Sequence, residues 1–276
     1  MKILNGKELA DYIKDRQARE VRSLYQANHI RPALAIVQSK EDKAISTYIN
    51  LKKRYGSDIG VEVNSYFLDQ QELPAKIDSL NKDPKVHGVI VQLPIADPNQ
   101  TEAVVNLIDP SKDVDALGAK AEFEPATPMA ILWLLAAYNV DLNGKKVVLV
   151  GRGKLVGAPL EVILRKSGID VTVVDKPTAN LTDFTISADV IITATGSPAI
   201  LKSDMIKQGV VVVDAGVASE SGKLVGDLAP DVYERQDLTI TPVKGGVGPL
   251  TVCALFDNVI RAARRVANQS IASKQG

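Results

Sequence analysis

Apolar residues recur along this chain at two periods, and the period switches repeatedly. From about 6 to 29 they fall at helical spacing, with Leu9, Ile13 and Val21 among them. Ala33-Leu34-Ala35-Ile36-Val37 is then a continuous apolar run of strand length. The pattern predicts a helix over about 44–55, a strand over 61–68 and a helix over about 71–81 that stops before Asp83-Pro84. Gly88-Val89-Ile90-Val91-Gln92-Leu93 is again almost unbroken and is closed by Pro94, as suits a strand covered on both faces. A helix fits 102–108. After Asn143-Gly144 a second series begins, with strands expected at 145–150, 171–174, 189–194, 210–214 and 238–241. Between the first two lies a helix opened by Pro159 and ending near Gly168. A last helix covers about 250–268, with a frayed polar tail beyond. Strands alternating with helices predict parallel sheets with right-handed crossovers, an α/β fold.

The chain has 276 residues, which suits two α/β domains better than one. The domain change falls near Lys120 to Pro128, giving a first domain over 1–120 and a second over 121–249. From its position, the helix over 250–276 is expected to pack back on the first domain. Lys+Arg and Asp+Glu both total 33, so no chain-wide basic field points to nucleic acid. Cys253 is the single cysteine and has no thiol partner for a disulfide or thiolate site; it reads as a small buried residue. His29 and His87 stand apart from each other and from any acidic cluster, which fits surface or boundary histidines and no metal. The N-terminus lacks a secretory pattern and the apolar stretch 129–137 is far short of a membrane span, so a cytoplasmic protein is expected.

Candidate chemistry enters at Gly151-Arg152-Gly153-Lys154-Leu155-Val156-Gly157. A strand leads in and a helix leads out, and a helix N-terminus offers unpaired N–H donors and a partial positive charge to a pyrophosphate. The spacing is G-x-G-x-x-x-G rather than G-x-G-x-x-G, and a strand–helix turn needing glycine only for packing would look the same. In its β-α-β setting the loop reads as the phosphate site of a Rossmann-like, dinucleotide-binding second domain, with a substrate cleft between the two domains. Asp175 ends the next strand, where a carboxylate would bond ribose hydroxyls and repel a 2′-phosphate. Lys176 and Arg152 are cations able to pair with that phosphate. NAD and NADP both stay open on these residues. Thr195-Gly196-Ser197-Pro198 and Ala215-Gly216-Val217 follow later strand ends, as ligand loops or simple turns do.

In the first half, Tyr48 and Lys52 share one helix face, as many solvated pairs do. Gln92 ends a buried strand, where a polar side chain needs a partner. Asp113-Val114-Asp115 lies beyond a helix end. Together with Val91-Gln92-Leu93-Pro94, Thr127-Pro128, Gly151-Arg152-Gly153, Val156-Gly157-x-Pro159 and the segment from Pro242 through Gly245-Gly246-Val247-Gly248-Pro249 to Thr251, these residues resemble, in order, the bifunctional methylenetetrahydrofolate dehydrogenase/cyclohydrolase family. The resemblance covers nearly the whole chain. It implies oxidation of 5,10-methylenetetrahydrofolate with a nicotinamide cofactor, and hydrolysis of the methenyl product to 10-formyltetrahydrofolate.

By resemblance, Lys52 is the catalytic lysine, Gln92 positions it, and Tyr48 stacks on the folate. Asp115 pairs with the pterin, and Gly248, Pro249 and Leu250 wall the folate. Gly151, Arg152, Gly153, Gly157, Asp175, Lys176 and Val217 hold the cofactor, expected as NADP with NAD kept open by Asp175. A homodimer is implied, with no nucleic-acid or membrane partner. The chain departs from the family pattern at Ala116 (for glycine), Ala126 (for cysteine), Gly153 (for serine), Asp175-Lys176 (for His-Ser) and Lys244 (for proline). The rival readings are a shikimate-type two-domain dehydrogenase and a non-catalytic protein that binds folate or a dinucleotide.

Overall fold

The computed structural model describes residues 1–41, 43–175, 180–220 and 223–275. In chain order it contains β1 (Lys2–Ile3), α1 (Gly6–Asn28), β2 (Ala33–Gln38), α2 (Lys43–Ile59), β3 (Glu62–Phe67), α3 (Leu73–Lys82), β4 (Gly88–Val91) and α4 (Thr101–Val105). There follow α5 (Ala126–Ala137), β5 (Val147–Val150), α6 (Gly157–Lys166), β6 (Val171–Val174), α7 (Thr182–Thr185), β7 (Val190–Thr193) and β8 (Val211–Asp214). The last elements are β9 (Ala218–Glu220), β10 (Lys223–Val225), β11 (Thr239–Ile240) and α8 (Val247–Gln275).

The chain divides into two compact units, Asp11–Ala126 with Val252–Gly276, and Met1–Ala10 with Thr127–Thr251. The first holds a parallel sheet ordered β3-β2-β4. Strands β2 and β4 are buried on both faces almost throughout, which is why their sequences show no alternation. The apolar side chains of β2, α3, β4 and α4 form one core. Asn258 of α8 donates to the carbonyls of Val114 and Glu124, each at 2.9 Å, and Gln17 of α1 donates to that of Cys253 at 2.9 Å. Cys253 is buried, and burial pushes its thiol up to about 11.

The second unit holds a six-stranded parallel sheet, ordered β1-β11-β8-β7-β5-β6. From β5 the chain goes outward to β6 and then back across to β7, so the strand order reverses between β5 and β7. Open α/β sheets place ligands at the carboxyl ends of such a pair.

Several boundaries differ from the pattern-based expectation for local reasons. Helix α2 continues past Tyr55 through Gly56, where an added Cβ would lie 2.4 Å from a Val63 methyl; glycine there lets the helix lie against β3. Helix α4 stops at Val105, and the Asn106 side chain turns back to bond the Glu102 carbonyl at 2.7 Å. Helix α8 starts earlier than expected, with Pro249 in its first turn, and stays helical to Gln275 instead of fraying near Asn268. No helix among the described residues is long and apolar enough to cross a membrane.

His87 is also not a surface or boundary residue. It is 5% exposed, and its Nδ1 accepts the Ala33 backbone N–H at 3.2 Å. Burial, helped by the charge of Lys112, lowers it to about 4. The folded form therefore resists a proton that the unfolded chain accepts near 6.5. Stability associated with His87 is complete above about 6.5 and is lost as pH falls toward 4, by up to roughly 3 kcal/mol. Urea unfolding of wild type and His87→Gln between pH 7 and 4 checks this: the difference between their stabilities is expected to change across that window. A pH-independent difference would rule the histidine out as its source.

Candidate active site

The first unit brings four of the expected site residues to the carboxyl ends of its strands. Gln92 directly follows β4, and its backbone N–H bonds the Val37 carbonyl of β2 at 2.8 Å, which fixes where the side chain begins. Its Nε2 donates to the neighbouring Leu93 carbonyl at 3.0 Å, so Oε1 must face the other way. Lys52 of α2 donates to that Oε1 at 2.9 Å. One turn earlier, Tyr48 is 39% exposed on the same helix. Burial holds the Lys52 amine below the ordinary lysine range, with Asp115 acting in the opposite sense. Burial likewise lifts Asp115 above the ordinary carboxylate range, opposed by Lys52. Both groups are thus biased toward their neutral forms in a part-buried setting.

Asp115 is presented by a loop that Asp113 organises. Asp113 continues from a bridge to Val89 and is 1% exposed. Its Oδ2 accepts the Gly118 N–H at 2.7 Å, while its Oδ1 is buried without a hydrogen-bond partner. Between them, Ala116 adopts φ 56°, the left-handed region. The glycine-to-alanine departure at this position therefore leaves the glycine-like backbone in place and adds strain to it.

In the second unit, the loop after β5 runs into α6. Gly151 has φ 98°, and a Cβ on Gly157 would lie 2.0 Å from the Gly151 carbonyl oxygen, so both glycines are required for the helix to start where it does. At Gly153 a Cβ would meet nothing nearer than 3.9 Å, so a serine would fit and nothing in the structure explains its replacement. Arg152 is not poised alone: its Nε donates to Glu161 of α6 at 2.7 Å. Asp175 is exposed at the end of β6, and Val217 is exposed after β8. Lys176 lies outside the described residues.

The loops after β7 and β8 are fixed by carboxylates that sequence reasoning did not single out. Asp227, fully buried, accepts the N–H groups of Thr195 at 2.7 Å and Ser197 at 3.0 Å. Asp214 accepts those of Gly216 at 2.9 Å and Asp227 at 3.0 Å, and the Thr193 hydroxyl at 3.0 Å. No spacing signal marks Asp227, because its partners lie some thirty residues earlier.

Gly248 and Pro249 lie in the first turn of α8, exposed and half-buried. Leu250 is 0% exposed, so in this structure it supports that turn from behind and offers no surface of its own. Among the described residues no group of three or more His, Cys, Asp or Glu side chains could hold a metal ion.

Two family models match the chain: tetrahydrofolate dehydrogenase/cyclohydrolase, catalytic domain, over residues 4–115, and its NAD(P)-binding domain over 125–267. The chain is 39% identical to the bifunctional protein FolD of Acetivibrio thermocellus, over 95% of this chain and 97% of that one. Among solved structures it is similar to the Campylobacter jejuni bifunctional enzyme FolD, methylenetetrahydrofolate dehydrogenase/cyclohydrolase (TM-score 0.90, 37% identity, 96% of this chain and 99% of that one). It is also similar to the Trypanosoma brucei methylenetetrahydrofolate dehydrogenase-cyclohydrolase complexed with NADP and an inhibitor (TM-score 0.89, 30% identity, 95% and 97%).

The strain at Ala116 has a measurable consequence. Left-handed backbone costs a non-glycine residue about 1–2 kcal/mol, partly offset by the roughly 0.5–1 kcal/mol of extra chain entropy a glycine loses on folding. Ala116→Gly is therefore expected to raise stability by about 0.5–1 kcal/mol in chemical denaturation. A loss of stability would show that the loop accommodates alanine without strain.

Proposed function

The chain belongs to the tetrahydrofolate dehydrogenase/cyclohydrolase family, and from that premise we propose which of its residues carry the chemistry. The activity is oxidation of 5,10-methylenetetrahydrofolate to the methenyl form with a nicotinamide cofactor, and hydrolysis of the methenyl form to 10-formyltetrahydrofolate, in one-carbon metabolism. The observation that carries the assignment is the 2.9 Å hydrogen bond from a part-buried Lys52 to an acceptor-only oxygen of Gln92.

Hydrolysis needs a base. In its neutral form the Lys52 amine directs one N–H to Gln92 and keeps its lone pair for a water. The water oxygen bonds to the cationic methenyl carbon and its proton passes to Lys52. Collapse of the adduct then forms the formyl C=O and breaks one of the two carbon–nitrogen bonds; the released nitrogen takes the proton back from Lys52, and the hydroxyl proton leaves to solvent. A lysine of ordinary pKa, about 10.4, is almost wholly protonated at neutral pH; burial lowers Lys52, and the bound methenyl cation lowers it further. Gln92 orients the amine without adding a carboxylate that would oppose this. Tyr48 offers its ring to the folate from the same helix face, Asp115 hydrogen-bonds the pterin, and Gly248 and Pro249, backed by Leu250, contribute contacts. The folate-binding domain is then the unit that carries Lys52, and the dinucleotide-binding domain the unit that carries Gly151.

The dehydrogenase step is mainly a matter of alignment, which can supply on the order of 7 kcal/mol or more. The nicotinamide cofactor, when bound, accepts the hydride. The residues present fit it: the β5–α6 turn brings bare backbone and a helix N-terminus to the switch point, so Gly151, Arg152, Gly153, Gly157 and Val217 would hold its diphosphate and adjoining parts. In this reading the cofactor is NADP, with its 2′-phosphate on Arg152 and Lys176. A second reading, NAD, is favoured by one arrangement: Arg152 is already engaged by Glu161, and Asp175 stands at the strand end where a carboxylate takes ribose hydroxyls. A homodimer, as the resemblance implies, completes the proposal.

Reduced-cofactor absorbance with 5,10-methylenetetrahydrofolate, run in parallel with NADP and NAD, tests the reading; no turnover with either, from folded protein, would sink it. Lys52→Met is expected to abolish hydrolysis while hydride transfer persists, and equal retention of both would remove Lys52 from the mechanism. Gln92→Glu places an anion against the amine and raises its pKa. The rising limb of the hydrolysis pH profile is then expected to move to higher pH by about one unit or more.

A further inference from the structure

Helix α6 carries a glutamate that the reaction does not account for. Glu161 is 13% exposed and bridges two arginines. One oxygen accepts Arg152 Nε at 2.7 Å; the other accepts Arg165 Nε at 3.1 Å. Arg165 in turn donates through Nη2 to the Val171 carbonyl at 2.9 Å, the first residue of β6. The carboxylate is thus tied through Arg165 to the strand whose far end carries Asp175. It stays ionised, because Arg152 first and Arg165 second hold it below the ordinary glutamate range. Arg152 itself remains 59% exposed and also feels the charge of Asp175.

We propose that Glu161 is a specificity-determining residue for the adenosine end of the cofactor: it binds Arg152 in competition with a 2′-phosphate and thereby shifts preference toward the dinucleotide that lacks one. This rests on the dehydrogenase reading above and deepens its second form. A guanidinium grips phosphate best through two parallel N–H bonds. With Nε occupied, the side-on fork is closed and only the terminal pair of N–H groups remains. A phosphate reaching that pair would also stand near two carboxylates, Glu161 and Asp175, in a site only partly screened by water. A ribose hydroxyl meets neither penalty. Glutamine at 161 keeps the length and an acceptor oxygen for Arg152 but removes the charge.

The test compares wild type, Glu161→Gln and Glu161→Met by calorimetric binding of ADP and 2′,5′-ADP, which needs no turnover, and by kcat/KM with NAD and NADP. Both variants are expected to bind 2′,5′-ADP about tenfold more tightly relative to ADP, and the NADP:NAD ratio of kcat/KM is expected to rise alongside. Because each quantity is a ratio within one protein, partial loss of folded material does not imitate it. Unchanged ratios in variants that still bind ADP would overturn the role of Glu161 alone. Wild type that binds neither nucleotide and turns over neither cofactor would overturn the dehydrogenase reading and this inference with it.

Discussion

A lysine amine held toward its neutral form needs both burial and a partner that carries no charge. Lys52 and Gln92 meet that constraint across 2.9 Å, and much of the first unit can be understood as what holds the two in place. Lys52 sits on α2, Gln92 at the end of β4, and the strand between them in the sheet, β2, pairs with β4 in parallel register from Leu34–Gly88 to Val37–Val91. The register is carried one residue further by the bond from Gln92 N–H to the Val37 carbonyl. The side-chain amide is then oriented by its own neighbour, Leu93. The Leu93 bond thus keeps the acceptor oxygen of Gln92 turned toward the Lys52 N–H. The buried apolar sheet supplies rigidity, and the strand ends, where backbone pairing stops, supply the polar groups.

The second unit solves a different problem with the same architecture. Its loops after β7 and β8 leave the sheet and need other partners for their N–H groups. Two carboxylates, fully buried Asp227 and half-buried Asp214, supply them. Asp227 gathers Thr195 and Ser197, and Asp214 gathers Gly216 and the backbone of Asp227 itself. Asp227, lifted by burial toward its neutral form, is stabilised as an anion by those N–H bonds. The Lys52–Gln92 pair in one unit and the loops after β7 and β8 in the other both lie just beyond a dry sheet, where polar groups need partners.

What the sequence made legible follows from how local each feature is. The continuous apolar runs within β2, β4 and β5 are strands because apolar residues without alternation need cover on both faces, and that requirement is written in adjacent residues. Strand β1 is two residues long and exists only because β11, far along the chain, offers it an edge; no local pattern encodes it. His87 is similar: one histidine between a lysine-valine pair and a glycine carries no sign that Ala33 will donate to it. Of the candidate site, Lys52 was readable as a polar residue on a helix face and Gln92 as one at a strand end, but their meeting depended on the resemblance. Glu161 carries no local signal, since its partner Arg152 lies before the helix begins.

The departures from the family pattern sort by the same logic of position. Near the proposed folate site, Ala116 keeps the left-handed turn its glycine counterpart would take and Lys52, Gln92 and Asp115 match the pattern, whereas Lys244, for proline, adds an exposed charge before α8. Those at the adenosine end change chemistry, because Gly153 removes a hydroxyl and Asp175 adds a negative charge beside Arg152. Glu161 acts in the same direction by binding that arginine. In the proposed assignment hydride donation and hydrolysis fall to groups in the unit that holds Lys52, and recognition of a ribose or its phosphate to groups in the unit that holds Arg152. Changes at the adenosine end would then alter cofactor preference while leaving the Lys52–Gln92 pair as it is.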